Sequence, residues 1–422
     1  METTYHSDLA YARELDQQDP LGGYKASFYQ PLAHDGRPAV YLCGHSLGCQ
    51  PVRTREYLER ELADWQALGV EGHFAARSPW MPYHETLTAS TARLTGALPE
   101  EVIVMNALTV NLHLMMVSFY RPTPDRYKIL IEADAFPSDQ YAVASQAAFH
   151  GYDPDKAIVR IPASAGRHTV ATEDLEEILR QQGEDIALVL LGGVNYYTGQ
   201  VFEMERITRQ AQAQGCVVGW DLAHAIGNVP LSLHAWGVDF ACWCSYKYLN
   251  GGPGAVGGAF IHQRHIGRDD LPRFAGWWGH RADTRFKMEP VFEATPTAEG
   301  WQLSNAPVFS MAALRASMEV FDAAGMEALR TKSRHMTGYL AWLINQVATQ
   351  AGLEIITPAD PAARGCQLSL LTGPGGRRIF DALTQHGVIC DWREPNVIRM
   401  APVPLYNSYE DVWKVAQILT KI

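Results

Sequence analysis

Two stretches of the chain put reactive side chains where water is scarce. "WCSYKYLNGGPGA", residues 243–255, sets Lys247 in an aromatic, apolar run closed by glycines, and "GWDLAHAIGN", residues 219–228, ends an apolar run at Asp221 and follows it with His224. A charge taken out of water must neutralise or find a partner. Lys247 therefore either runs its stem across apolar surface to a wet tip or is wanted as a buried, neutral amine able to condense with an aldehyde. Asp221 is either a local cap beside a core histidine or the dry partner of a cationic ring nitrogen.

Four further places lie where apolar runs end. Thr109 in "NALTVNLH" is a helix N-cap or part of an anion site at a helix start. Phe136, Pro137, Ser138 and Asp139 in "EADAFPSDQ" gather at a strand end, where Ser138 and Asp139 read equally well as caps. Tyr196, Tyr197 and Thr198 in "GGVNYYTGQ" are core lids or site residues. Trp277 in "GWWGH" and Asn305 in "LSNAP" fall in connections, as an exposed aromatic and a turn residue unless they serve a ligand. An amine and an acid on neighbouring strand ends, with a helix start nearby, suit a ligand bearing an aldehyde, a protonated ring nitrogen and a phosphate. Pyridoxal 5'-phosphate has all three.

The elements that must position these groups alternate from about residue 100 to 262. Strand-like runs "EVIVMN", "YKILIEAD", "AIVRIPA", "DIALVLLGGV", "CVVGWD", "DFACWCS" and "AVGGAFIH" are separated by helical patterns such as "SDQYAVASQAAFHG", capped by Ser138, and "TEDLEEILRQQG", begun by a capping threonine. The alternation predicts an α/β fold with a mainly parallel sheet, which binds ligands beyond the carboxyl ends of its strands. After Pro307 a long amphipathic region to about Gln350 precedes short strands "LEIIT", "CQLSLLT", "VICDW" and "VIRMAP", with helices near 376–386 and 408–421, predicting a smaller α+β domain. The expected organisation is an N-terminal segment, 1–70, packing on the small domain or a partner, a large cofactor-binding domain, 71–307, and a small domain, 308–422.

The chain has 422 residues, 47% hydrophobic and 19% charged, with 46 acidic against 35 basic residues. No basic cluster would track a phosphate backbone, so nucleic acid is not an expected partner. The N-terminus has neither the apolar core nor the basic flank of a secretory signal, and no apolar run is long enough to span a membrane. A cytoplasmic location is expected. The seven cysteines are scattered without a C-x-x-C pair, so reduced packing thiols are expected rather than disulfides or a metal site.

The motifs "YLCGHSLG", "AFPSD", "NYYTGQ", "DLAHAIGN", "SYKYLNGGPG", "RFAGWWGHR", "LSNAP" and "RMAPVPLYNSYED" together resemble kynureninase, a pyridoxal-phosphate enzyme of fold type I related to class V aminotransferases. The resemblance runs from about residue 41 to the C-terminus. It implies that Lys247 bonds the cofactor, Asp221 pairs with its pyridine nitrogen with His224 alongside, and Phe136 stacks on the ring with Pro137, Ser138 and Asp139 beside it. It further implies phosphate contacts from Leu108, Thr109 and Tyr246, with Trp277 and Asn305 arriving from a second subunit of a homodimer. Arg399 would fork the substrate carboxylate, and Tyr246 would serve as general acid or only bind phosphate. His73, Ser304 and Asn305 would line the substrate's ring, although His73 reads otherwise as a loop residue and Ser304 as a turn hydroxyl. The implied reaction is hydrolytic Cβ–Cγ cleavage of an amino acid substrate, kynurenine or 3-hydroxykynurenine, with the hydroxylated substrate favoured as in NAD-biosynthetic members. One departure is Gly192, where some relatives carry a hydrogen-bonding side chain. The competing readings are a cysteine desulfurase or selenocysteine lyase, which needs a mobile-loop cysteine and usually a histidine before its lysine, where Tyr246 stands here, and a noncatalytic scaffold.

Overall fold

The computed structural model describes residues 5–421. All seven strand-like runs between residues 100 and 262 form one sheet, in the order Val102–Val104, Gly258–Ile261, Phe240–Trp243, Val217–Asp221, Ile186–Gly192, Lys128–Glu132, Ile158–Ile161. The last five in that order pair in parallel, and Gly258–Ile261 runs antiparallel to both its neighbours. Helices cover both faces, which is why these strands are apolar almost throughout. Three neighbouring strands end side by side at Glu132, Gly192 and Asp221. That edge carries the site.

The C-terminal part holds a four-stranded antiparallel sheet ordered Asp391–Arg393, Val397–Met400, Leu368–Thr372, Leu353–Ile355. The amphipathic region before it is two helices, Val308–Ala324 and Met326–Ala351, broken at Gly325, whose φ of 75° suits glycine. "VICDW" is not one strand: Val388–Ile389 pairs in parallel with Val40–Tyr41, and only Asp391–Arg393 joins the antiparallel sheet. Within the N-terminal segment, helix Leu9–Gln18 docks on Tyr409–Leu419, where Asp16 accepts the amides of Tyr409 and Glu410. No helix among the described residues is long and apolar enough to cross a membrane.

Three expected caps are displaced. Ser138 and Thr109 are the second residues of helices Pro137–Phe149 and Leu108–Phe119, and Thr172 is the first residue of Thr172–Gln182; Phe136, Ala107 and Ala171 occupy the cap positions. None of these three caps makes a side-chain bond, and the hydroxyls of Thr109 and Ser138 instead meet each other at 2.8 Å.

Candidate active site

The helix Leu108–Phe119 begins directly after the turn that follows Val102–Val104, and its first-turn amides have no acceptor within the helix. Gly257 lets the chain pass close behind it: a Cβ there would lie 3.3 Å from the Leu108 amide nitrogen and 2.5 Å from the Trp243 carbonyl. With the paired hydroxyls of Thr109 and Ser138, this forms one end of a cavity of about 250 Å³ that also receives Phe136, Asp139, Asp221, His224, Tyr246 and Lys247. Pro137 opens the helix that carries Ser138 and Asp139.

Lys247 departs from expectation in two respects. The strand stops at Trp243, so the lysine sits in the following turn, and it is half-buried. Its Nζ lies 5.9 Å from the Phe136 ring centre and 5.8 Å from that of Tyr246, and no carboxylate among the described residues forms an ion pair with it. The turn projects the amine into the cavity rather than into the core.

Asp221 is buried at its strand end, and one carboxylate oxygen accepts the amide of Ala223 at 2.7 Å. Burial pushes its carboxyl up, opposed by the charge of Lys247. Asp139 is pushed further, by burial and by the neighbouring Asp221. Two buried carboxyls that repel one another do not both ionise readily; the stronger upward push falls on Asp139, while Lys247 favours charge on Asp221. Burial, and then Lys247, hold His224 neutral, and its Nδ1 has no partner.

Glu132 is the residue that sequence reading passed over. It lines the cavity, buried, and accepts the Gly192 amide at 2.9 Å and Asn195 Nδ2 at 2.5 Å. A Cβ at Gly192 would lie 3.1 Å from the Glu132 carboxylate, so this acid fills the space left by the missing side chain. Its position, ending an apolar run as Asp221 does, was the available signal.

Arg399 is 1% exposed and does not line this cavity. Its Nε donates to Asp391 at 2.8 Å and Nη1 to the carbonyl of Tyr196 at 2.7 Å, leaving Nη2 without a partner. A two-pronged grip on a carboxylate is therefore not preformed. Nearby His45, from "YLCGHSLG", is buried with both ring nitrogens unpartnered, and its ring lies 6.4 Å from that of His224. A ring nitrogen of His45, the Cys43 thiol and an Asp391 oxygen lie within 4.8 Å of one another. Burial, Arg399, Arg393 and Lys247 all hold His45 neutral.

The remaining expected residues form a separate group. His73, Trp277, Ser304 and Asn305 share a surface pocket of about 440 Å³ with Phe74 and Phe286. Trp277 is 44% exposed, with its indole N–H donating to the Arg285 carbonyl.

The C-terminal residues 329–419 match the model of the kynureninase C-terminal domain. Over 407 residues the chain is 57% identical to a kynureninase of Koribacter versatilis, covering 96% of each chain. It is 56% identical to a kynureninase of Myxococcus xanthus over 98% of this chain and 97% of that one. The chain belongs to the kynureninase family. Like the kynureninases it matches, it is an enzyme. Its fold, that of fold type I, is shared with the cystine C–S lyase C-DES, solved with cysteine persulfide (TM-score 0.77, 19% identity, covering 90% of this chain and 97% of that one), and with a cysteine desulfurase of Thermococcus onnurineus (0.74, 16%, 91% and 94%). Against a desulfurase-like chemistry in this kynureninase-family chain, Cys366 is buried, with its thiol pushed up to about 12 by burial, and Cys390 is pushed up likewise.

The cavity's donor set fits pyridoxal phosphate. It offers an amine within reach of a carbonyl, an acid pair able to hold a ring N–H, an aromatic face, a helix start with two hydroxyls for a phosphate, and a buried imidazole nitrogen lacking a partner.

Proposed function

We propose that the chain hydrolyses the Cβ–Cγ bond of L-kynurenine and 3-hydroxy-L-kynurenine with pyridoxal phosphate, releasing an anthranilate and L-alanine, and that it favours the hydroxylated substrate. The observation carrying this reading is the convergence of Lys247, Asp221, Asp139 and His224 on one cavity at the strand ends of a kynureninase-family chain. The bound cofactor supplies an electron sink for negative charge formed on an amino acid joined to its carbonyl carbon.

The chain's own residues do the rest. Lys247 would hold the cofactor at its carbonyl carbon, and its amine is the base placed to take the proton from the substrate Cα. Asp221, whose charge Lys247 favours, would keep a proton on the ring nitrogen, with Asp139 beside it. Phe136 would cover the ring, while the amides at Leu108 and Thr109, with the Thr109 and Ser138 hydroxyls, would hold the phosphate. Tyr246, whose phenol burial keeps protonated, donates at the γ-carbonyl oxygen as water adds there. Water thus gives its hydroxyl to the aryl carbonyl carbon and a proton to Cβ. Arg399, buried just outside the cavity, would meet the α-carboxylate through Nη2 only after its side chain or the surrounding chain shifts to uncover that nitrogen.

The chain acts as a cytoplasmic homodimer, each large domain, 71–307, completed by its partner. Trp277 and Asn305 lie outside the cavity of their own chain, beside an exposed group that includes Phe74, Phe286 and Met288, and such a patch is covered in a stable protein. Across that contact His73, Ser304 and Asn305 would surround the substrate ring. His73 Nδ1 is buried without a partner, and a ring hydroxyl that satisfies one such group is worth ~1–3 kcal/mol, or on the order of tenfold to a hundredfold in specificity. Measuring kcat/KM for both substrates tests this. A higher value for 3-hydroxykynurenine, with a smaller ratio in His73→Ala, is expected; equal or reversed values refute the preference.

A further inference from the structure

A surface pocket of about 410 Å³ lies between residues 201–206 of the large sheet domain and the helix Met326–Ala351, and shares no lining residue with the cavity above. Arg206, Arg330 and Arg334 line it together with Glu203 and Glu205, and Val229, Pro230 and Trp236 form an apolar wall. Arg330 is 7% exposed; its Nη2 donates to the Pro361 carbonyl at 2.7 Å, and its Nη1 has no partner. Burial together with the charges of Arg334 and Arg364 brings its guanidinium down to about 10.

The acids in reach are already committed. Arg206 takes Glu173, Glu176 and Glu203, Arg209 takes Glu205, and Asp360 caps the amide of Ala362 at 2.8 Å. Among the described residues Arg330, Arg334 and Arg364 form no ion pair. Arg364 is spent on the carbonyls of Pro358 and Ala359. Bonding loop carbonyls explains one face of Arg330 but not a buried, crowded cation in a protein of net charge −11. Arginine cannot escape by losing its proton at ordinary pH, and an uncompensated buried charge is costly. Asp360 offsets part of that charge, and an anion from outside can supply the rest.

We propose that this pocket binds a small oxyanion, a phosphate or carboxylate group, between Arg330 and Arg334, with any apolar portion of its carrier resting on Trp236. The geometry gives such a ligand a consequence. The Val201 amide donates to the Ala363 carbonyl at 2.9 Å, and the neighbouring loop is strapped to the small sheet by Ser369 Oγ donating to the Tyr197 carbonyl at 2.5 Å. An anion here pins the same two parts of the chain.

Calorimetric titration of the holoenzyme at low ionic strength, with inorganic phosphate in one arm and succinate in the other, tests the site. One saturable site per chain is expected for at least one anion, and the arm that responds names the group. Arg334→Gln, at an exposed position outside the catalytic cavity, should weaken it by about tenfold or more with the kinetic constants unchanged. Arg330→Gln should do the same if it folds. No saturable binding in either arm, or undiminished affinity in Arg334→Gln, overturns the proposal.

Discussion

Glu132 has a charge state set by its surroundings. Burial, offset by its bonds from Asn195 and Gly192, lifts its carboxyl from 4.5 to about 7. Because the folded form ionises at higher pH than the unfolded chain, folding holds an extra proton between those values, and stability falls as pH rises through that window. A gap of this size corresponds to ~3 kcal/mol at neutral pH. Thermal unfolding followed from pH 4.5 to 7 should therefore show a shallower loss of stability in Glu132→Gln; an unchanged slope would mean that Glu132 is already ionised at low pH. Lys247→Ala should keep the fold yet lose turnover by at least ~10²–10⁴-fold, the scale of a missing acid–base group. It should also lose the cofactor bond that borohydride reduction makes permanent. Peptide mass spectrometry of the reduced parent protein should find the cofactor on Lys247, and label on any other lysine would end that assignment.

Among the elements, helix Leu108–Phe119 and the turn at Gly257 form one unit. A Cβ at Gly257 would collide with the Trp243 carbonyl and crowd the Leu108 amide, so Gly257→Ala must move the helix start. Backbone shifts of this kind cost ~1–3 kcal/mol. If the helix start holds the phosphate, cofactor affinity should fall by about tenfold or more. Fluorescence titration of apoenzyme with pyridoxal phosphate measures this, and parent-like affinity would detach the helix start from the phosphate. The element boundaries show why short-range signals mislead. Thr109, Ser138 and Thr172 are hydroxyl residues one or two positions inside their helices; for Thr109 and Ser138 the strand-to-helix turn at the ligand edge spends the hydroxyl on the cavity rather than on a cap.

For the whole molecule, the separation of the Lys247 cavity from the pocket holding Trp277 and Asn305 predicts active sites built from two chains. Sedimentation should find a dimer. Mixed and exchanged Lys247→Ala and Asn305→Ala proteins should regain part of the parent activity, because one site in each hybrid carries neither change. Proven exchange without recovery would mean that each site is built within one chain.

The seven strands of the large sheet and the family were legible in the sequence alone, because apolar runs, turn residues and dense motifs are local properties of the chain. The partition of roles at the strand ends was decided only by tertiary structure. Lys247 is half-buried because its strand stops at Trp243, and Glu132 enters the site because the strands ending at Glu132, Gly192 and Asp221 lie side by side although they are far apart in sequence. Arg399 spends two of its nitrogens on Asp391 and Tyr196. Each of these depends on which distant groups share a low-dielectric space. Long-range packing sets that, and residue type and spacing do not encode it.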